Sequence, residues 1–272
     1  MAIPAGAVRL MSLLPTSVIQ PILYSIAPHT VSEGLAFVPA LQDALYRGRT
    51  WWKKQLSHDL IPFRPLTTIY EPWPKRFALD AMDIVKQRLT EEGYPIQHGP
   101  GNFCPYTYLV FALGGGGYAG TLRWGDEAGI AIVGDACIYG LAGQPAKALS
   151  FIKQPSNFTE AHFSVEAQTG ALMHELYHSF GLAEHDFTGS PNISGPWWAW
   201  PNLGLLSSHK EHILKPPYDV FLVPPLISQP KVEVIEPLEG IDPTRVTIPT
   251  GLLKDPAWTR IKALLRKLWP LR

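Results

Sequence analysis

The sequence predicts an α/β fold, in which a mixed, twisted sheet packs against a helix that carries closely spaced histidines. Runs rich in β-branched and aromatic residues alternate with amphipathic, helix-like segments along the middle of the chain. A helical segment that carries the histidines follows the strands. The chain has 272 residues, of which 46% are hydrophobic, so it can bury a sizeable core as one medium domain with extensions.

The charge balance argues against a nucleic-acid partner. Lysine plus arginine and aspartate plus glutamate both number 23, so the formal net charge is zero. A zero net charge gives no global basic field to attract phosphates. The 9 Trp, 10 Tyr and 11 Phe favour a packed globule over a disordered chain, and 27 Pro with 23 Gly predict many loops.

Residues 1–60 are predicted to form an N-terminal extension with short helices, one of them at 38–54. Arg9 precedes a mostly apolar run from Leu10 to Ala27, and residues 25–27 have the small-x-small pattern of a signal-peptide cleavage site. A signal peptide would favour secretion, with an intracellular or membrane-associated location as the alternatives. The other interpretation of the run is a segment that packs around the domain.

The elements of the central region are predicted from the spacing of apolar residues and from residues that typically start or end helices and strands. Apolar residues at helical spacing before Gly93 predict a helix, and Ser164 with Gly181 provides an N-cap and a stop for another. The glycines at 114–117 lack a following Gly-Lys-Ser/Thr and predict a turn. The predicted elements are a first strand at 66–70, a helix at 76–92, strands at 106–113, 120–124 and 129–139, a loop region at 141–161 and a helix at 164–180.

The stretch from Met173 to Asp186, M-H-E-L-Y-H-S-F-G-L-A-E-H-D, concentrates ionisable groups beside apolar ones. Buried charges are costly unless they are paired or bind a metal. His174 and His178 are four residues apart, so both imidazoles project from one face of a helix, with Glu175 beside them. The pattern H-E-x-x-H on a helix predicts a zinc site in which the two histidines are ligands and the glutamate is a general base.

Gly181 allows the chain to leave this helix three residues after His178 and to bring a third ligand back to the same metal. The segment resembles the metzincin clan of zinc metallopeptidases, whose pattern is H-E-x-x-H-x-x-G-x-x-H. His174, Glu175, His178 and Gly181 match it. The resemblance implies an α/β zincin domain, taken here as 61–225, that binds Zn²⁺ and cleaves peptide or protein substrates.

The resemblance to the metzincin clan implies that Glu175 is the general base and acid for a zinc-activated water. The alternative function is a zinc-binding, non-catalytic relative, since substrate-binding loops carry no recognisable pattern. The third histidine of the clan's pattern is replaced by Glu184, and His185 follows one residue later. We expect His185 to be the third ligand, because imidazole suits zinc. Glu184 is the alternative.

The chain also departs from the clan by having no methionine after the motif, where a methionine turn is expected. Residues 193–200 occupy that position. A gluzincin-like site would instead take Glu211 from 206–214, which also contains His209 and His212, but Gly181 argues against it. Three tryptophans, at 197, 198 and 200, either line a substrate cleft or pack, and Tyr218 either assists an oxyanion or is structural.

The last segment, 226–272, is predicted to be a C-terminal extension with a basic amphipathic helix from Asp255 to Arg272. Such a helix docks its apolar face on its own domain or lies on an anionic membrane surface. Cys104 and Cys137 are not spaced as metal ligands, and they predict either one disulfide or two buried thiols. Nothing in the sequence indicates the oligomeric state.

Overall fold

The computed structural model describes residues 17–73, 75, 77, 80–97, 102–123, 125–153, 157–183, 185–186 and 191–223, which all fall in one compact unit. Within these ranges, the strands are β1 (Val18–Ile26), β2 (Thr67–Glu71), β3 (Tyr106–Leu113), β4 (Ala119–Leu122) and β5 (Gly129–Val133). The helices are α1 (Val31–Leu35), α2 (Val38–Leu56), α3 (Ala81–Glu91), α4 (Asp135–Leu141), α5 (Pro145–Ser150), α6 (Val165–Ser179) and α7 (Ser207–Ile213). Short 3₁₀ turns span Glu160–Phe163, Trp197–Ala199 and Tyr218–Phe221.

The strands form a mixed sheet in the order β2-β1-β3-β5-β4. The pairs β1–β2, β1–β3 and β3–β5 are parallel, and β4 runs antiparallel to β5 at one edge of the sheet. The predicted α/β class with a mixed sheet is therefore confirmed. The strand β4 comes next to helix α6, so the histidine-bearing helix lies under this edge.

The central strands are apolar at both odd and even positions, so both faces of the sheet are packed against helices. Leu23 and Phe111 point into a core shared with α2, α4 and α6. Ile22 and Val110, one position earlier in each strand, point into a second core that is covered by α3. Side chains alternate between the faces of a strand, so these two cores lie on opposite sides of the sheet.

The structure corrects the prediction for the N-terminal region. The first described strand is β1, and it pairs with β2 on one side and β3 on the other, whereas we predicted the first strand at 66–70. Every residue of β1 is buried. The described part of the apolar run that resembled a signal peptide thus forms an inner strand, Val18–Ile26, and cleavage after Ala27 would remove it. Residues 17–60, predicted as part of an extension, belong to the sheet and the core.

Two further segments differ from the predictions. The run 129–139 was predicted as one strand, but β5 ends at Val133 and α4 starts at Asp135. Apolar residues predominate on both sides of Asp135 because both elements are buried, so periodicity could not separate them. The predicted loop 141–161 contains α5, which starts at Pro145, a residue that fits the first turn of a helix.

Other elements match the predictions closely. Strand β3 has the predicted bounds, and α6 spans Val165–Ser179 with the Ser164 hydroxyl accepting a hydrogen bond from Ala167 N. The helix predicted at 76–92 is observed at Ala81–Glu91. The glycine segment 114–117 forms a turn between β3 and β4, as predicted.

Cys104 and Cys137 are buried free thiols. They belong to the two cores on opposite faces of the sheet, which rules out a disulfide between them. Across the described residues, no helix combines the length and apolar character that crossing a membrane requires. The predicted C-terminal extension 226–272, with its basic helix, lies outside the described residues.

Candidate metal centre

Helix α6 is held by close packing on more than one side. A Cβ atom at Gly48 of α2 would lie 2.3 Å from Met173 Sδ, so α2 and α6 cross at van der Waals contact because residue 48 has no side chain. At Gly170, a Cβ atom would lie 2.1 Å from the carbonyl oxygen of Trp197. These contacts fix the helix that carries His174 and His178.

The imidazoles of His174, His178 and His185 meet at one point. The Nε2 atom of His178 lies 3.0 Å from Nε2 of His174 and 3.2 Å from Nε2 of His185. The candidate ligand atoms of all three lie within 4.8 Å of one another. Two zinc–nitrogen bonds of about 2.05 Å at a tetrahedral angle place their nitrogens about 3.3 Å apart. The spacing therefore fits a metal ion bound by three imidazoles.

Backbone carbonyls orient the first two rings. The Nδ1 atom of His174 bonds to the carbonyl oxygen of Ile193, and Nδ1 of His178 bonds to that of Leu182. A carbonyl can only accept, so Nδ1 carries the hydrogen in each ring and Nε2 of the neutral ring has a free lone pair. Two such lone pairs 3.0 Å apart repel unless a cation lies between them. The donor chemistry therefore fits a bound metal ion.

Burial keeps these rings in the neutral, metal-binding form. Desolvation lowers the pKa of His174 to about 4, and the nearby His178 contributes to this shift. Desolvation also lowers the pKa of His178 below its ordinary value. Neutral imidazole is the form that binds metals, so protons compete weakly with a metal at neutral pH.

The segment predicted to take the place of the methionine turn supports the site with its backbone. Ile193 is buried, and its N–H donates to the carbonyl of Gly204 while its carbonyl accepts from His174. Asn192 Oδ1 accepts from Ser194 N at 2.9 Å and tightens this turn. The roles of Ile193 and Leu182 had no signal in the sequence, since a supporting carbonyl can come from any residue type.

Glu175 follows His174 in α6, lines the same cleft as His178 and His185, and is 7% exposed. The hydroxyl of Thr121 lies 2.6 Å from Glu175 Oε2 and 2.9 Å from the carbonyl oxygen of the same residue. Burial raises the pKa of Glu175 to about 7, and the Thr121 hydrogen bond partly opposes this shift. A carboxyl with this pKa can both accept and release a proton at neutral pH.

These groups open onto a cleft of about 500 Å³. Its lining includes Ala119, Thr121, Glu175, His178, Gly181 and His185. Small side chains from strand β4 and from the turn after α6 leave space beside the histidines. The cluster is therefore accessible from solvent on the side where Glu175 lies.

Arg123, at the end of β4, is a residue that the sequence did not single out. Its five N–H groups make five hydrogen bonds, to four backbone carbonyls and one hydroxyl. One acceptor is the carbonyl of Ser179 at the end of α6, and another belongs to Tyr106 at the start of β3. Desolvation lowers the pKa of Arg123 to about 10. Arg123 thus ties the end of the histidine helix to the sheet.

The residues of the gluzincin-like alternative do not lie at the cluster of three histidines. The Glu211 side chain is 71% exposed and pairs with Lys215 at 3.3 Å. His209 Nε2 lies 3.2 Å from the Tyr177 hydroxyl, and a ring nitrogen of His212 bonds to the carbonyl of Phe180. The candidate metal-binding group contains His185 and not Glu211. Glu184, the other candidate for the third ligand, lies outside the described residues.

The three tryptophans and Tyr218 pack against neighbouring rings or glycines. Trp197 and Trp198 pack edge-to-face on each other. Phe158 packs edge-to-face on Trp198 and at a tilt on Trp197, and the Trp200 Cβ is close to Gly170 on α6. None of the three tryptophans is among the residues that line the cleft in the described part of the chain. Tyr218 packs edge-to-face on Phe103 and lies against Gly181.

The chain matches no protein-family model, no curated protein and no solved structure in the comparisons made. The support for a metal site therefore comes from the geometry of the three histidines. That geometry gives a place where a metal ion fits.

Proposed function

We propose that this protein is a metzincin-like zinc metallopeptidase that hydrolyses peptide bonds. The observation that carries the proposal is the convergence of three histidine Nε2 atoms beside a buried glutamate, at the wall of an open cleft. Each of these groups lies in the short segment that resembles the metzincin pattern. The mixed sheet, with an antiparallel edge strand beside the histidine helix, supports the same proposal.

Zinc is the metal that this set of donors favours. Three neutral imidazoles and one open position are typical of catalytic zinc sites, whereas magnesium and calcium prefer oxygen ligands. His174, His178 and His185 would hold the ion, and the carbonyls of Ile193 and Leu182 would keep two of the rings in place. The open side of the cluster faces the cleft, where water and substrate enter.

Zinc in this position would supply Lewis-acid chemistry that makes water a stronger acid. Glu175, which lines the cleft beside His178 and His185, then has the position to act as general base and accept the water's proton on its carboxylate. The same carboxyl can deliver that proton to the amine of the leaving peptide. One residue therefore serves both proton transfers of amide hydrolysis.

The edge strand β4 supports an extended peptide as substrate. Within the described sheet, β4 pairs with β5 along one side and is the last strand in the order. Its residues Ala119 to Thr121 line the cleft. An extended peptide can add to such an edge through backbone hydrogen bonds, largely independent of its sequence. We infer that the substrate is an unstructured peptide segment.

The experiment compares the wild type with Glu175→Gln and with Glu211→Gln as a matched control on an exposed helix face. After reconstitution, all three proteins should bind about one zinc per chain, since the cluster is a single set of ligands. The wild type and Glu211→Gln should cleave an unstructured peptide library in a chelator-sensitive way. Glu175→Gln should lose about 10²- to 10⁴-fold in kcat, because the amide cannot accept the proton.

Two other outcomes are informative. A wild type that binds zinc and leaves broad peptide libraries intact would favour a non-catalytic zinc-binding protein. A wild type that takes up no zinc on reconstitution would contradict both functions.

A further inference from the structure

The hydroxyl of Thr121 touches Glu175 at two oxygens. It lies 2.6 Å from the carboxylate atom Oε2 and 2.9 Å from the backbone carbonyl oxygen. Thr121 belongs to β4 and Glu175 to α6, which are 54 residues apart in sequence. The contact therefore joins the edge strand to the histidine helix at the point where the cleft opens.

The side chain of Thr121 is held in a fixed direction. Its backbone is paired with Ala131 in the β4–β5 ladder. Threonine is branched at Cβ, which restricts χ1 to few rotamers. Glutamate, in contrast, has three rotatable side-chain bonds, and a buried carboxylate needs a donor to offset its desolvation. The rigid partner in this pair is Thr121, and the partner that needs holding is Glu175.

We propose that Thr121 is a positioning residue that orients the Glu175 carboxyl toward the metal site. The proposal rests on the proposed peptidase function, since the orientation matters for the proton transfers made by Glu175. The hydroxyl contacts both the carboxylate and the backbone carbonyl of Glu175, so it favours one side-chain conformation of that residue. In that conformation Oε2 is hydrogen-bonded to Thr121, and the other carboxylate oxygen is left for the water.

The first test measures the pairing without metal and without turnover. A double-mutant cycle of Thr121→Val and Glu175→Ala in the metal-free protein, followed by urea unfolding, should be non-additive, because each change removes the other's partner. Thr169→Val is the matched control: its hydroxyl bonds to the carbonyl of Val165, and it lies six residues from Glu175 on the same helix. The cycle of Thr169→Val with Glu175→Ala should be additive.

The second test is kinetic and uses the zinc-loaded protein. Thr121→Val should lower kcat by at least about tenfold, a part of the 10²- to 10⁴-fold that a general base supplies. Zinc affinity should stay at the wild-type value, because the hydrogen bonds of the Thr121 hydroxyl go to Glu175 and not to the three histidines. Thr121→Ser keeps the hydroxyl and should restore most of kcat. Thr169→Val should keep the wild-type kcat.

The outcomes separate the two proposals. An additive cycle for Thr121 and Glu175 overturns the positioning role, and so does a Thr121→Val protein with wild-type kcat. A loss of kcat that Thr121→Ser fails to restore also overturns it, since the hydroxyl would then be irrelevant. If the wild type cleaves no peptide, the peptidase function fails, while the cycle still decides whether Thr121 holds Glu175.

Discussion

Gly181 lies so close to the hydroxyl of Tyr218 that residue 181 has no room for a side chain. A Cβ atom at Gly181 would lie 2.0 Å from Tyr218 Oη, and the residue has φ +78°. The next residue, Leu182, gives its carbonyl to Nδ1 of His178. The turn that places this carbonyl, and that leads on to His185, therefore needs glycine for its backbone angle and for its lack of a side chain.

We expect Gly181→Ala to destabilise the protein by about 2 kcal/mol or more. An alanine at positive φ is strained by about 1 kcal/mol, and the contact with Tyr218 adds an overpacking cost of about 1–3 kcal/mol. The change should also weaken zinc binding, because it displaces the carbonyl that orients His178. Urea unfolding and zinc titration against a competing chelator measure the two effects.

Gly143→Ala is the matched control for the backbone term. Gly143 has φ +71°, and a Cβ atom there would meet no atom within 4 Å. This variant should lose only the strain energy and should keep the zinc affinity of the wild type. Equal destabilisation by the two variants would contradict the steric role that we assign to Tyr218.

The histidine helix could be predicted from sequence because its signals are local. Ser164 caps it, Gly181 ends it, and the i, i+4 spacing puts His174 and His178 on one face. The inner strand β1 could not be predicted in the same way. It is buried on both faces, so its apolar run has no period of two and resembles a signal peptide.

Much of the site's support was also invisible in the sequence. Thr121 and Arg123 reach the helix from β4, and their contacts with Glu175 and Ser179 depend on strand order. A sequence pattern records neighbours along the chain, whereas these residues become neighbours only when β4 pairs with β5. Their residue types are ordinary at a strand end, so nothing marked them beforehand.

The third ligand gives a direct test of the departure from the metzincin pattern. His185→Ala should weaken zinc affinity by at least about 100-fold, since losing even an outer partner of a ligand typically costs about 10–100-fold. Glu184→Ala should weaken it mildly. Competition with a chelator of known affinity compares the two variants with the wild type. If Glu184→Ala is the more damaging change, the site has two histidines and one glutamate.

The two cysteines should behave as protected thiols. Burial raises the pKa of both Cys104 and Cys137, so little reactive thiolate is present at neutral pH. We expect Ellman's reagent to react slowly with the native protein and to titrate two thiols per chain after unfolding without reductant. A count of zero in the unfolded protein would indicate a disulfide and contradict their placement on opposite faces of the sheet.

Asp135 provides a test of how a buried carboxylate affects stability. Its two oxygens accept hydrogen bonds from the amides of Gly114 and Gly116, at 2.9 and 2.6 Å, and so close the turn between β3 and β4. Asp135→Asn should destabilise the protein by about 1–3 kcal/mol, because the new NH₂ group cannot accept from an amide and leaves one donor unpaired.

Desolvation nevertheless raises the pKa of Asp135 above its ordinary value of 3.8. A group whose pKa is raised by folding contributes stability that is fully present below its unfolded pKa. That contribution is lost as the pH rises through its folded pKa. The difference in unfolding free energy between the wild type and Asp135→Asn should therefore shrink as the pH rises above 3.8 and through the raised pKa of Asp135 in the folded protein. Urea unfolding at several pH values measures it, and a difference that grows with pH would show that the two amide hydrogen bonds outweigh desolvation.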